Sequence, residues 1–282
     1  LKKTRALDAP FFMGIFFGDG MVNALSEQRL RFALRYALRH ALVSLLVAGL
    51  SALFVFGLLY PPPTSAMLGV GSIFLLLLGV DVVCGPLLTL LLATPAKPRR
   101  ERWLDFSLVG LVQLAALLYG LHSVWVARPV VLAFETDRLV IATANEVQTE
   151  TLPQAPAGLQ TLPWWGWLQV STRSAKNNEE FFTSVNLGLS GISPAMRPDW
   201  WVPWADGRAG IDQRAKPVTE LLARRPQDAA TLQAAIAATG LPTQQLRYLP
   251  LTSRRTKDWV ALLDAQARIV GHAPVDGFTA HN

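Results

Sequence analysis

The chain is poor in the residues on which most catalytic and extracellular chemistry depends. Cys84 is the only cysteine in 282 residues, so no disulfide forms within the chain and cysteine neither supports nor excludes an oxidising compartment. The four histidines, His40, His122, His272 and His281, are scattered without metal-ligand spacing. No Walker A sequence and no dinucleotide glycine fingerprint is present, and Gly188 and Gly191 are too sparse to stand for one. Ser184, Ser190 and Ser193 lack the context of a nucleophile elbow. These gaps argue for a non-enzymatic protein with no cofactor and no metal. Charge is scarce as well. Only 16% of residues are charged, while 51% are hydrophobic.

The charge that exists is unevenly placed. Residues 1–129 hold twelve Lys/Arg and six Asp/Glu, whereas residues 130–282 hold fourteen of each. The whole excess of +6 therefore sits in the apolar half. A basic balance of that origin speaks for membrane orientation and not for nucleic acid.

Three uncharged or nearly uncharged runs lie in that half. Residues 41–60 read ALVSLLVAGLSALFVFGLLY, residues 66–93 carry only Asp81, and residues 106–127 carry no formal charge. Each is long enough to cross a hydrocarbon core. The expected spans are about 38–60, 66–93 and 104–127. The first run ends in Tyr60-Pro61-Pro62-Pro63 and not in a small-residue cleavage site, which marks a retained anchor and a stiff turn into the second span. Arg29, Arg31, Arg35 and Arg39 precede the first span, and Lys97, Arg99, Arg100 and Arg102 separate the second from the third. Basic flanks stay cytoplasmic. The N-terminus is then cytoplasmic, and residues 130–282 emerge in the periplasm of a Gram-negative cell. Tyr60, Tyr119 and Trp125 are candidate interfacial anchors. Residues 1–28 form an uncertain leader: PFFMGIFFGDG at 10–20 is apolar but too short to span, and Met21 is a candidate start.

Polar groups inside the spans draw attention because burying them in lipid is costly. Asp81 sits near the middle of the second run, with Gly85-Pro86 just after it and Thr89 two turns beyond; Gln113 and His122 lie in the third. Pro86 removes a backbone donor and kinks a helix. Gly69, Gly71, Gly79 and Gly85 let another helix approach closely. Three roles stand open for Asp81: a brace between helices, a receptor for a partner's transmembrane helix or charged terminus, and ion or proton transport. Transport usually needs more spans and more polar groups. Cys84 reads as a small packing residue, since no basic partner accompanies it.

Residues 130–282 read as one mixed α/β domain, about the size at which a single core is formed. VVLAFETDRLVIA at 130–142 suggests a strand or two, starting at the membrane surface. Pro153, Pro156, Gly158 and Pro163 make 143–165 an excursion without long elements. Glu179-Glu180 fits a loop or a helix start. KPVTELLARR and the stretch from Pro226 to Gly240 suggest two helices; RYLPL, WVALLD and ARIVGHAPV suggest strands, with a hairpin turn at Asp264-Ala265-Gln266. Six of the nine tryptophans fall in two clusters, among them Trp164, Trp165, Trp200, Trp201 and Trp204. They read either as core and lipid-facing packing or as a protein-binding surface, where Trp is favoured. A sugar platform is weaker, because no carboxylate pair stands beside them. Arg254-Arg255 with Lys257 forms a small basic group suited to a solvated turn, to anionic headgroups or to an acidic partner.

Several stretches in order resemble the type IV pilin accessory protein family (TfpX/TfpZ). They are the basic flank and first span ending in Tyr60-Pro61, the Gly79-Val80-Asp81 to Gly85-Pro86-Leu87-Leu88-Thr89 block, Ala127-Arg128-Pro129-Val130, and the closing LLDAQARIVGHAP hairpin. The likeness spans about residues 29–275, is least diagnostic over 143–215, and leaves out the leader. It implies a three-span transmembrane domain at 29–129 and a periplasmic domain at 130–282. It also implies a non-enzymatic factor that stabilises a cognate major type IV pilin in the inner membrane and aids pilus assembly. Asp81, Gly85, Pro86, Gln113 and Arg128 are then the candidate pilin-binding or helix-packing residues. Trp164, Trp165, Trp200, Trp201 and Trp204 are candidate periplasmic contacts. Pilus assembly machinery and membrane lipid are further partners to expect. A structural subunit of the pilus machine and a pilin- or envelope-modifying enzyme are the competing readings.

Overall fold

The computed structural model describes residues 9–278, with side chains described from Glu27 onward. The leader's first eight residues, the side chains of 9–26, and His281 lie outside the described residues. Helix α1 runs from Ala9 to Phe54 and continues as a π-helical turn over Val55–Leu59. The 10–20 segment is thus the start of one long helix. A short helix α2 covers Thr64–Leu68, α3 covers Val70–Leu92, and α4 covers Arg99–Val126. Among the described residues, three stretches are long and apolar enough to cross a membrane: Glu27–Leu59, Val70–Leu92 and Arg99–Val126.

The second span is shorter than the apolar run that encodes it. The run suggests a helix from Ala66, but Gly69 adopts φ 63°, a left-handed conformation that closes α2 and separates it from α3. A side chain at Gly69 would meet the Arg255 guanidinium at 2.3 Å. Met67, 1% exposed, is inserted among Leu132, Leu139, Leu249 and Leu263 of the soluble domain. The apolar character of Met67 and Leu68 therefore serves the domain core and not lipid.

The chain divides into two units. One extends to Ala52 and takes in Phe74–Leu121; the other joins Leu53–Ile73 to everything from His122 onward. In the first, Ala33, Ala37, Ser51, Gly85, Thr89 and Gly120 are among the residues turned inward, while Leu, Val and Ile cover the outside. Small residues at the contacts suit helices in lipid, where packing and internal hydrogen bonds replace the hydrophobic drive. The basic ends are fastened locally. Lys97 pairs with Asp105 at 2.7 Å, and Arg102 lies over the Phe32 ring at 5.2 Å.

The second unit is built on an eight-stranded mixed sheet. Its strands are β1 (Pro129–Glu135), β2 (Arg138–Thr143), β3 (Leu168–Thr172), β4 (Trp201–Pro203), β5 (Lys216–Pro217), β6 (Arg247–Ser253), β7 (Trp259–Leu263) and β8 (Ile269–Ala273). The order is β4-β3-β1-β2-β6-β7-β8, with β5 pairing β6 beyond the end of β2. β1 and β2 form a hairpin; β3 is parallel to β1 and β6 parallel to β2. Alternation sorts the side chains. Leu132, Phe134, Leu139 and Ile141 face Met67 and Ile211 of α6 (Arg208–Arg214). Val131, Ala133, Val140 and Ala142 face the excursion that carries Val147 and Ala155. On the far half of the sheet, Tyr248, Val260 and Leu262 pack under α7 (Val218–Arg224) and α8 (Ala229–Thr239). Each aliphatic side chain so buried contributes roughly 1.5–3 kcal/mol. The last hairpin turns on Asp264, whose carboxylate accepts from the Gln266 and Arg268 amides at 2.9 Å each.

His272 on β8 is largely enclosed, and burial holds its imidazole near a pKa of about 4. An unfolded histidine titrates near ~6.5. Above that pH the group is neutral in both states and costs nothing. As pH falls from about 6.5 towards 4, the unfolded chain takes up a proton that the fold refuses, so stability drops by up to ~1.4 kcal/mol per pH unit. Urea unfolding of the detergent-solubilised chain, followed by tryptophan fluorescence, is expected to show this loss. It should flatten in His272→Gln.

Candidate functional site: a polar seam and cavity among the spans

Three side chains from three helices meet inside the first unit. His40 of α1 sits between Thr89 of α3 and Gln113 of α4, with Nδ1 to Thr89 Oγ1 at 2.6 Å and Nε2 to Gln113 Oε1 at 2.8 Å. The Gln113 Nε2 donates to the backbone carbonyl of Asp81 at 2.7 Å. The donors order themselves. The carbonyl of Asp81 can only accept, so the Gln113 amide nitrogen faces it and Oε1 faces His40. His40 then donates from Nε2, and in the neutral ring its Nδ1 accepts from the Thr89 hydroxyl. A neutral imidazole with the proton on Nε2 satisfies every partner.

The backbone is prepared for this chain of bonds. Pro86 lies within α3 and takes away the amide that the Val82 carbonyl would use. One residue earlier along the helix, a Cβ at Gly85 would meet the Gln113 side chain at 2.3–2.5 Å. Only glycine leaves the space in which Gln113 lies flat against α3.

Above the seam is a cavity of about 170 Å³ lined by His40, Ser44, Asp81, Gly110, Gln113 and Leu117, among others. Asp81 borders it half-buried, and its carboxylate has no hydrogen-bond or ion-pair partner among the described residues. An unpaired carboxylate at this depth is a group in want of a partner.

In the second unit, Arg128 is 9% exposed and caps the end of α4. Its guanidinium donates to the Trp125 carbonyl at 3.0 Å and the Pro163 carbonyl at 2.9 Å, and lies 4.1 Å from the Trp125 ring centre. Trp164 stands 5.3 Å from the same ring, and both Trp164 and Trp165 are more than two-thirds exposed. A tryptophan pair beside the end of a span has the character of an interfacial belt. Trp200 and Trp201 are buried. They are 4% and 2% exposed, because the residues after Arg197 fold inward as a 3-10 turn and edge strand. Trp200 is flanked by Arg173 and Arg197, and Trp201 Nε1 donates to the Ala195 carbonyl at 3.0 Å. Trp204 is half-buried against the first face of the sheet. Tyr60 is also buried, its hydroxyl donating to the Val124 carbonyl at 3.0 Å, and so it is not a lipid-facing anchor.

Residues 28–69 match the family described as fimbrial assembly protein FimB. Two proteins of Dichelobacter nodosus, the fimbrial assembly proteins of serogroup I and serogroup E1, are each 34% identical over 258 residues, covering 90% of this chain and 99% of theirs. The serogroups C1 and C2 protein from the same organism is 40% identical over 131 residues, covering 46% of this chain and all of its own. The chain belongs to the FimB fimbrial assembly protein family. No solved structure matches it.

The FimB family is described as an assembly protein. Among the described residues no three His, Cys, Asp or Glu cluster in a way that would hold a metal. Of the candidate site residues, the fold brings Asp81, Gly85, Pro86 and Gln113 together and leaves Arg128 and the tryptophans in the other unit. Metal-ligand spacing does not single out His40 in this FimB-family chain. The signal that finds it is one strong hydrogen-bonding side chain in each of three successive spans. Thr89 lies near the end of α3, Gln113 lies in the next helix, and His40 opens the first apolar run.

The seam predicts two substitutions. His40→Phe strands Thr89 and Gln113 in a low-polarity interior, and Gly85→Val expels the Gln113 amide. Each is expected to lower the thermal denaturation midpoint in detergent, at a cost of about 1–2 kcal/mol from the interhelical bonds. A Gly85→Val protein as stable as the parent would show that Gln113 does not bridge α3.

Proposed function

We propose that the chain is an accessory factor of the TfpX/TfpZ kind, which holds a cognate major type IV pilin in the inner membrane and delivers it to pilus assembly. Family membership supports the general setting: relatives across nearly the whole chain are named fimbrial assembly proteins. The basic flanks around 29–39 and 97–102 favour a cytoplasmic N-terminus and a periplasmic domain.

The observation that carries the client reading is the unpartnered Asp81 carboxylate at the cavity between α1, α3 and α4. His40, Gln113 and Thr89 satisfy one another and the Asp81 carbonyl. Asp81 is therefore left over for a group from outside, such as a polar or cationic group on a client's membrane helix. Gly85 and Pro86 shape the helix beside it, and Arg128 fixes the junction where α4 passes into β1. A transport role has less support, since the seam is a short closed chain of bonds and not a path across the membrane.

Asp81→Asn keeps the shape and removes the charge. It is expected to fold like the parent, to co-purify with much less pilin, and to give fewer surface pili. Undiminished capture and pilus output in that variant would overturn the charged-site reading. Basic-flank orientation is tested independently by compartment-specific reporters fused after Lys97 and after Asp276, with a periplasmic signal expected only from the second.

A further inference from the structure

A further open cleft lies in the second unit, beside a helix that the sheet does not cover. Helix α5 (Asn178–Leu189) follows β3 and has no buried residue along its twelve positions. Its stripe of Phe181, Ser184, Val185 and Gly188 follows the 0, 3, 4, 7 spacing of a single helix face. In a small domain such a stripe usually packs against a sheet. Here it borders an open cleft of about 860 Å³ that extends to the ends of β1, β2, β3 and β6.

The helix is held by its first turn. Asn177 caps the Glu180 amide at 2.8 Å, and Arg173 grips the Glu180 carboxylate at 2.7 and 3.0 Å. That grip holds Glu180 well down, at a pKa of about 2. The far end carries Leu189 at 84% exposure, and Phe182 is 64% exposed on the flank.

The cleft is also strongly one-signed. Five basic residues line it, Arg138, Arg173, Arg214, Arg254 and Lys257, against a single acid, Glu135. Arg138 and Arg173 are matched by Asp137 and Glu180, and the Glu135 carboxylate accepts from the Ala195 amide at 3.1 Å. Arg214, Arg254 and Lys257 are exposed and have no carboxylate partner among the described residues. Three uncommitted cations and the apolar side chains of Phe181 and Val185 thus line one open cleft. Charge complementarity then specifies the occupant.

We propose that the cleft under α5 binds an extended acidic segment of the client protein, with carboxylates on Arg214, Arg254 and Lys257 and an apolar side chain on Phe181 and Val185. The inference rests on the client-handling reading and adds a soluble recognition site to the intramembrane one. Client selection then depends on a short sequence in the client's exposed part, whereas Asp81 engages its membrane helix.

The test places a photoreactive residue at Val185 in the full-length protein, in cells making the cognate pilin. The expected result is a pilin adduct that maps to an acidic stretch. In Arg214→Glu/Arg254→Glu/Lys257→Glu its yield falls about tenfold or more, as the loss of several close charge pairs implies. Pilin carrying lysines in the mapped stretch should restore it, which a misfolded variant cannot do. Pilin that still co-purifies while Val185 gives no adduct, or an adduct indifferent to the charge reversal, would overturn the cleft site and leave the client reading standing. Loss of both co-purification and adduct would overturn both. Adducts with anionic phospholipid in place of pilin would assign the cations to headgroups and contradict the proposal.

Discussion

Lipid offers no hydrogen bonds, so every polar group carried into it must be answered from within the protein. In this chain the answer is the Gln113 amide. It reaches the Asp81 carbonyl on one helix and His40 on another, and His40 passes the chain of bonds on to Thr89. One side chain thereby ties three spans, and it can do so only because Gly85 has no Cβ to displace it. The sparse internal contacts of the bundle make this tie more consequential. Each span buries only 17% of its most apolar window, so most of its surface is available to lipid or to another helix.

The same constraint explains what the bundle leaves undone. The seam uses the backbone of Asp81 and not its carboxylate, which borders the cavity alone. A purely structural aspartate would be expected to find a donor among its neighbours. The soluble domain repeats this pattern at larger scale. Its sheet is covered on both faces by three apolar clusters, yet α5 stands over a cationic cleft with its apolar stripe uncovered. Both unsatisfied places underlie the proposal of a client that touches membrane and domain.

Much of the architecture is legible in the residues. Long uncharged runs announce the spans, and the β-branched stretch after Pro129 announces the first hairpin. Asp264-Ala265-Gln266 marks the last one. The break at Gly69 is hidden because Met67 and Leu68 are apolar, and apolarity alone does not tell a lipid-facing residue from one inserted into a neighbouring core. Trp200 and Trp201 mislead for a related reason: a tryptophan pair flanked by charge and proline looks like a binding surface until two arginines are found stacking beside one ring. Gln113 and Asp81 stand out as polar residues in apolar runs. His40 does not, since it sits at the edge of a basic flank and only the fold brings it between α3 and α4. The short strands β3 and β4, and the helix α5 between them, come from the least regular part of the sequence; β3 takes its form from pairing with β1, and β4 from pairing with β3.

The central claim is that the cavity beside Asp81 is a receiving site for another protein's membrane helix. The most direct measurement is a photoreactive residue at Ser44, on the cavity wall, activated in living cells that make the cognate pilin. The account predicts an adduct to the membrane-embedded segment of pilin, lost when a non-cognate pilin replaces it. Adducts confined to lipid, or to a second copy of this chain, would contradict it and leave the cavity as internal packing space.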